Sequence, residues 1–111
     1  MGVLINSFPF KECRMEIERQ AEIFKAIGDE MRLRILKMLP SQPKCKEMYN
    51  ISELVKKLGG SQPNMSRHLK ILKRAGLVRC EKKCASVYYW KDPAAFQRVC
   101  ELLSAIAVDI L

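Results

Sequence analysis

The chain has 111 residues and a formal net charge of +8, from 20 Lys and Arg against 12 Asp and Glu, and 49% of its residues are hydrophobic. This length accommodates one domain, which argues against an enzyme that carries its own cofactor domain. The excess of positive charge favours a polyanionic partner, either nucleic acid or an anionic membrane surface. No segment is long and apolar enough for a membrane span, and the start lacks the pattern of a secretory signal, so we expect a cytoplasmic protein.

The first two helices are predicted by the spacing of apolar residues. From Lys11 to Ile27 these residues recur every three or four positions, which is the period of one helix face. The residues before this segment, 1–10, are expected to form a flexible N-terminal arm. Asp29 is a favourable N-cap for a second helix, and Pro40 ends it. The segment from Ser41 to Tyr49 has no periodicity and predicts a loop.

Two further helices follow and are joined by a short turn. Asn50 and Glu53 have the spacing of a capping box, which opens a third helix that ends at Gly59-Gly60. Ser61 is the expected N-cap of a fourth helix, which Gly76 ends. A short helix, a tight turn and a longer helix form a helix-turn-helix, whose second helix lies in the major groove of DNA.

The last third of the chain predicts a hairpin and a final helix. Residues 77–81 and 86–90 are rich in β-forming side chains and flank a basic connection, Lys82 to Ala85, so that the motif is a winged one. Asp92 caps a last helix, whose apolar seam continues to the C-terminus and is free for a partner other than DNA. The predicted fold class is mainly α with a small β-hairpin, a single winged helix-turn-helix domain over residues 1–111 in the order ααααββα.

Basic residues concentrate on the fourth helix and the hairpin. Residues 61–83 hold seven Lys or Arg and one Glu, which is a local balance of +6 out of the +8 of the whole chain. The last helix is mildly acidic by comparison. This distribution favours nucleic acid over a membrane surface as the partner of the helix-turn-helix.

Three runs of sequence are specific in combination. They are AIGDEMRLRIL (Ala26–Leu36), SQPNMSRHLKILKRAGLV (Ser61–Val78) and VYYW (Val87–Trp90). Together they resemble the ArsR/SmtB family of arsenic-repressor-like winged-helix regulators. The resemblance implies a homodimer built by the first and last helices, with residues 92–111 as the dimerisation helix, which binds an inverted-repeat operator and represses transcription until an inducer arrives. The residues expected at the dimer interface are Ile17, Ala21, Phe24, Phe96, Val99, Leu103, Ile106 and Ile110.

Carried onto this sequence, the resemblance also implies which residues contact DNA. The positions that look like base readers, at the start of the fourth helix, are Gln62, Asn64, Ser66 and Arg67. In the major groove Asn and Gln can bridge adenine, and Arg can bridge guanine. The residues expected on phosphates, which supply affinity without sequence information, are Ser61, His68, Lys70, Arg79, Lys82 and Lys83. The alternative for Asn64 and Ser66 is a solvated helix face. For His68, expected to form a hydrogen bond or to contact a phosphate, the alternative is a metal ligand.

The sequence does not match the known inducer sites of this family. Metal sites on the third helix need cysteines where this chain has Asn50 and Ser52, and those on the last helix need histidine, which does not occur beyond Trp90. The cysteine pair of the persulfide-sensing members corresponds only roughly to Cys45 and Cys100.

The five cysteines supply the hypotheses that are left for sensing. Cys80 and Cys84 flank the basic tip of the hairpin, where they could form a disulfide or bind a soft ion such as As(III), Zn(II) or Cu(I), or be ordinary surface thiols. Cys13 and Cys100 lie on the apolar faces of the helices expected to build the dimer, where they would form a thiol site across subunits or pack as small hydrophobes. Cys45 is expected to be exposed, and to be either reactive or a tolerated surface thiol.

Two readings of function follow from these observations. The first is a homodimeric, sequence-specific DNA-binding regulator, a repressor released from its operator by a soft metal or metalloid or by thiol oxidation. The alternative is a winged-helix protein-interaction module, or a DNA binder without metal sensing. We do not expect an enzyme, because the sequence shows no acid pair, no Ser/His/Asp or Cys/His set and no phosphate-binding glycine loop.

Overall fold

The computed structural model describes residues 10–42 and 48–108, with side chains from residue 16 onwards in the first range. Within these ranges the elements are α1 (Phe10–Ile27), α2 (Glu30–Met38), α3 (Ile51–Leu58), α4 (Gln62–Arg74), β1 (Val78–Lys83), β2 (Ser86–Lys91) and α5 (Pro93–Ile106). The predicted fold class and the order ααααββα are confirmed. Among the described residues, no helix has the combination of length and apolar character that crossing a membrane requires.

The starts of α2 and α3 are stabilised by the side chains that the sequence indicates. Oδ2 of Asp29 accepts a hydrogen bond from the backbone N–H of Arg32 at 3.1 Å. At α3 the backbone N–H of Glu53 donates to Oδ1 of Asn50 at 2.9 Å, and the N–H of Asn50 donates to Oε1 of Glu53 at 3.0 Å. Each such cap contributes about 1 kcal/mol, because it satisfies N–H groups that have no partner inside the helix.

The core lies between α2, α3 and α4 and extends to the start of the hairpin and of α5. Its buried hydrophobic residues are Ala26, Ile35, Leu36, Leu39, Leu54, Met65, Leu69, Leu72, Leu77, Val78, Ala95 and Val99. Because α3 and α4 both contribute to this core, they are held as a pair. The opposite face of α4 is left to solvent.

Part of the expected dimer interface belongs instead to this core. Val99 is only 7% exposed and packs inside the subunit, so its assignment to the interface is wrong. Phe24 and Phe96 are half-buried against the same core. The helical period of the sequence locates an apolar stripe on α5 but does not say how the stripe is divided between two neighbours.

The hairpin has a shorter loop than the sequence suggests. Its strands pair from Val78 with Lys91 to Lys83 with Ser86, so the loop contains Cys84 and Ala85 rather than residues 82–85. Cross-strand pairing keeps both lysines in β1 although lysine is a weak strand former. The φ angle of Cys84 is 56°, in the left-handed region that the first position of the favoured two-residue hairpin loops requires.

The outer edge of the hairpin is hydrogen-bonded to both ends of the α2–α3 connection. The backbone N–H of Tyr89 donates to the carbonyl oxygen of Tyr49 at 3.0 Å, and the N–H of Lys91 donates to that of Pro40 at 2.7 Å. The predicted loop over residues 41–49 therefore ends in an isolated β-bridge, in which Tyr49 pairs with Tyr89 of β2. Residues 43–47 of that loop, Cys45 among them, lie outside the described residues.

Candidate nucleic-acid interface

Burial of one face of α4 determines which of its residues face solvent. Met65, Leu69 and Leu72 are buried in the core. At roughly 100° per residue, the opposite side of the helix is the side that carries its basic residues. These residues, which we call the basic face, are Arg67, Lys70, Lys73 and Arg74, and all of them are exposed. No acidic residue occurs on α4, so this surface is uniformly positive.

The polar residues at the start of α4 are held in place by neighbouring side chains. Nε2 of Gln62 donates to Oγ of Ser52 on α3 at 3.1 Å, and Nη2 of Arg67 donates to Oδ1 of Asn64 at 3.1 Å. Oγ of Ser61 caps the helix by accepting from the N–H of Asn64 at 3.3 Å. These hydrogen bonds orient the side chains before DNA binds. Because they lie at the surface, hydrogen bonds to base edges can replace them at little cost.

Two of the predicted site residues on α4 are less accessible than the others. Ser66 is half-buried. The side chain of His68 is only 17% exposed, and its Nδ1 lies 3.1 Å from Nη1 of Arg32 and 3.8 Å from Oδ2 of Asp29. The expected contact of His68 with a phosphate is therefore corrected: the ring faces the start of α2 and joins α4 to it.

The group around His68 is ordered by Arg32. Nε of Arg32 donates to the carbonyl oxygen of Ala26 at 2.6 Å, and Nη2 donates to that of Lys25 at 3.3 Å. A guanidinium only donates, so the 3.1 Å contact is a hydrogen bond from Nη1 of Arg32 to Nδ1 of His68 whenever that nitrogen carries no proton. The backbone N–H of Arg32 and then its charge, with a further contribution from His68, hold the pKa of Asp29 below its ordinary value of 3.8.

The hairpin carries the positive surface beyond the end of α4. Arg79 and Lys82 are exposed on β1, and Lys83 is half-buried. Burial, followed by the neighbouring Cys80, raises the pKa of Tyr89 above its ordinary value of 10.0, so this residue of β2 is a neutral packing group.

The structure does not bring the two hairpin cysteines together. Cys80 pairs with Tyr89 inside the sheet, whereas Cys84 is at the tip. The extended chain from Cys80 to Lys83 alone spans about 10 Å, and a disulfide requires less than about 7 Å between Cα atoms. Among the described residues, no group of three or more His, Cys, Asp or Glu is placed to hold a metal ion. Cys100 is exposed on α5, and the side chain of Cys13 lies outside the described part.

Helices α1 and α5 each expose apolar side chains. Ile17 is 64% exposed, Leu103 is 51% exposed and Ile106 is 72% exposed. Ala21, one turn after Ile17, is exposed as well. Exposed apolar side chains grouped on two helices are typical of a protein interface. Ile110, the last residue expected there, lies outside the described residues.

Comparison with known proteins agrees with this architecture. Residues 29–79 match a family model described as bacterial regulatory protein, arsR family. The HTH-type transcriptional regulator MJ1325 of Methanocaldococcus jannaschii is 44% identical over 73 residues, which are 66% of this chain and 78% of the relative.

Solved structures show the same fold. An ArsR-like transcriptional regulator from Rhodococcus sp. RHA1 has a TM-score of 0.71 and 26% identity, covering 85% of this chain and 84% of that one. The homodimeric winged helix-turn-helix DNA-binding domain of Mb0332 from Mycobacterium bovis has a TM-score of 0.68 and 20% identity, covering 93% and 90%. The chain therefore belongs to the ArsR family, whose members are winged helix-turn-helix transcriptional regulators and not enzymes.

Proposed function

We propose that this chain is a homodimeric repressor that binds an inverted-repeat operator through α4 and the hairpin. The observation that carries the proposal is the basic face of α4, which is solvent-exposed, contains no acidic residue and continues into a basic hairpin. Neutralising phosphates with such a surface supplies most of the affinity for duplex DNA.

The residues of this surface divide into two roles. The base readers are Gln62, Asn64, Ser66 and Arg67 at the start of α4, where side chains reach the floor of the major groove. The phosphate contacts are Ser61, Lys70, Arg79, Lys82 and Lys83, as the sequence suggests. To these we add Lys73 and Arg74, whose exposure on the basic face is visible only once the buried side of α4 is known.

The dimer is supported by the apolar surface of α1 and α5. Leaving Ile17, Leu103 and Ile106 in water is unfavourable, and covering them with a second copy buries that area. A two-fold axis between the copies presents two α4 helices to successive major grooves, about 34–36 Å apart, and an operator that is an inverted repeat has the matching symmetry.

We assign release by an inducer to a cysteine of the dimer surface. Because Cys80 and Cys84 are separated within one subunit, we confine thiol oxidation or binding of As(III), Zn(II) or Cu(I) to the dimer surface, where Cys100 is exposed on α5. Loss of operator binding on adding arsenite or a mild oxidant, abolished by Cys100→Ser, would support this site. Release that persists in the variant would exclude it.

Operator binding is tested by fluorescence anisotropy with a duplex selected from a randomised pool, beside a scrambled duplex of equal length. We expect the selected duplex to bind at least about 1,000-fold more tightly and its affinity to fall steeply with salt. Arg67→Ala should lower the affinity for the selected duplex more than that for the scrambled one, whereas Lys82→Ala should lower both affinities alike. Lys37→Ala, an exposed lysine on α2, is the control and should change neither. Equal, weak binding to every duplex would instead favour a protein-interaction module.

A further inference from the structure

A groove between α1, α2 and α4 shares only Arg74 with the DNA contacts proposed above. Its volume is about 690 Å³, within the range of roughly 300–1,000 Å³ that small-molecule sites occupy. Its apolar lining consists of Ile23, Ala26, Ile71 and Ala75, contributed by α1 and by the end of α4. The groove therefore offers space for the apolar part of a small molecule directly behind α4.

The remaining residues that line the groove are mostly cationic. They are Arg19, Lys25, Arg32 and Arg74, with Glu22 as the one acid among the lining residues. Glu22 lies 3.7 Å from Lys25, and Arg32 is committed to backbone oxygens and to His68. The guanidinium groups of Arg19 and Arg74 have no hydrogen bond or ion pair with a described residue. Two guanidinium groups, which bind carboxylate and phosphate oxygens in pairs, are thus available at an apolar groove.

The groove stays accessible in the proposed dimer. On α1, Arg19 and Ala26 are two and nine positions after Ile17, which turns them roughly 180° away from it around the helix. The exposed apolar residues that we assign to the dimer are consequently on the other side of α1. A ligand in the groove would not compete with the second copy of the chain.

We propose that this groove binds a small amphipathic anion, with its carboxylate or phosphate head on Arg19 and Arg74 and its apolar body against Ile23 and Ile71. Arg74 also belongs to the basic face of α4, and it cannot bind the ligand and a DNA phosphate at once. The ligand therefore lowers operator affinity by withdrawing one phosphate contact from each subunit. This second step rests on the proposed function, whereas binding of the anion does not.

Binding is tested on the full chain without DNA, by titration with octanoate, octyl phosphate and octylammonium below their micelle concentrations, followed by amide NMR shifts. Both anions should shift Ile23, Ala26, Ile71 and Ala75 saturably, while octylammonium should not, and the tighter of the two anions identifies the head group. Arg19→Ala should lower the affinity for both anions about tenfold, which is the effect expected from losing one charged contact. Arg98→Ala, an exposed arginine of α5, is the matched control and should leave them unchanged.

Ala75→Phe provides a second variant, because it fills the groove without removing a charge and should abolish binding of both anions. Equal shifts with all three probes, shifts confined to Leu103 and Ile106, or unchanged affinity in Arg19→Ala would each overturn the site.

The effect on DNA is measured separately by anisotropy. Arg19→Ala should bind the selected duplex like the unsubstituted chain. Octanoate at a concentration near its dissociation constant for the unsubstituted chain should weaken duplex binding by that chain and leave duplex binding by Arg19→Ala nearly unchanged. Octanoate binding without a change in DNA affinity would refute the withdrawal of Arg74. A chain that binds octanoate but no duplex would refute the proposed function and leave the groove standing.

Discussion

The position of His68 leads to a prediction that separates a structural residue from a DNA contact. Replacing His68 with Ala removes the acceptor of Nη1 of Arg32 and a ring that is 17% exposed. A hydrogen bond to a charged group contributes about 1.5–3 kcal/mol. Arg32 is half-buried, so water recovers part of this and we expect a loss of about 1–2 kcal/mol. At about 4–8 °C per kcal/mol for a domain of this size, Tm falls by roughly 4–16 °C.

The assay compares thermal unfolding at one fixed protein concentration with the salt dependence of DNA binding. Lys70→Ala, on the basic face two residues later, is the matched control: it should leave Tm unchanged and reduce the slope of log affinity against log salt by about 2 for the dimer. His68→Ala should do the reverse, and His68→Gln, which keeps an acceptor, should recover part of the Tm. A reduced salt slope with unchanged Tm in His68→Ala would refute the structural role and restore His68 to the phosphate contacts.

Three further predictions concern the hairpin, the dimer and the acid response. Cys84→Gly should raise the free energy of unfolding by about 0.5–1 kcal/mol in urea titrations, because glycine tolerates the positive φ, while Cys84→Ala should not. Leu103→Asp should give monomers in sedimentation, and operator binding should weaken because the dimer is lost. A stable dimer would contradict the α1–α5 interface. Because the pKa of Asp29 is lowered in the folded state, ionised Asp29 stabilises the fold above pH 3.8. This stabilisation is lost as pH falls through the folded-state pKa, so Asp29→Asn should lose less stability than the unsubstituted chain between pH 5 and pH 2. Equal acid sensitivity of the two would contradict that assignment.

Features encoded by nearby residues could be predicted from the sequence. The caps at Asp29, Asn50 and Ser61 each bond three residues ahead, so their spacing is visible in the chain itself. The helix-turn-helix and the excess charge on its second helix are likewise local patterns. The family resemblance rests on these same segments, and the comparisons confirm it.

Features that depend on distant residues could not be predicted in this way. His68 meets Asp29 and Arg32 from more than thirty positions away, so its inward orientation depends on how α4 packs on α2. Val99 lies on the predicted apolar stripe, but only the packing of α5 shows that the core takes it. The register of the hairpin, which separates Cys80 from Cys84, is set by pairing across strands and not by composition.

The two backbone hydrogen bonds that join β2 to Tyr49 and Pro40 have a consequence for how new DNA specificities can arise. Main-chain donors and acceptors exist whatever side chains occupy these positions, apart from the N–H that proline lacks. The attachment of the wing is therefore insensitive to most substitutions in its vicinity. The base-reading residues on α4 can therefore be substituted while the hairpin keeps its position relative to α4. Substitutions on this single helix are then enough to direct the same fold to a new DNA sequence.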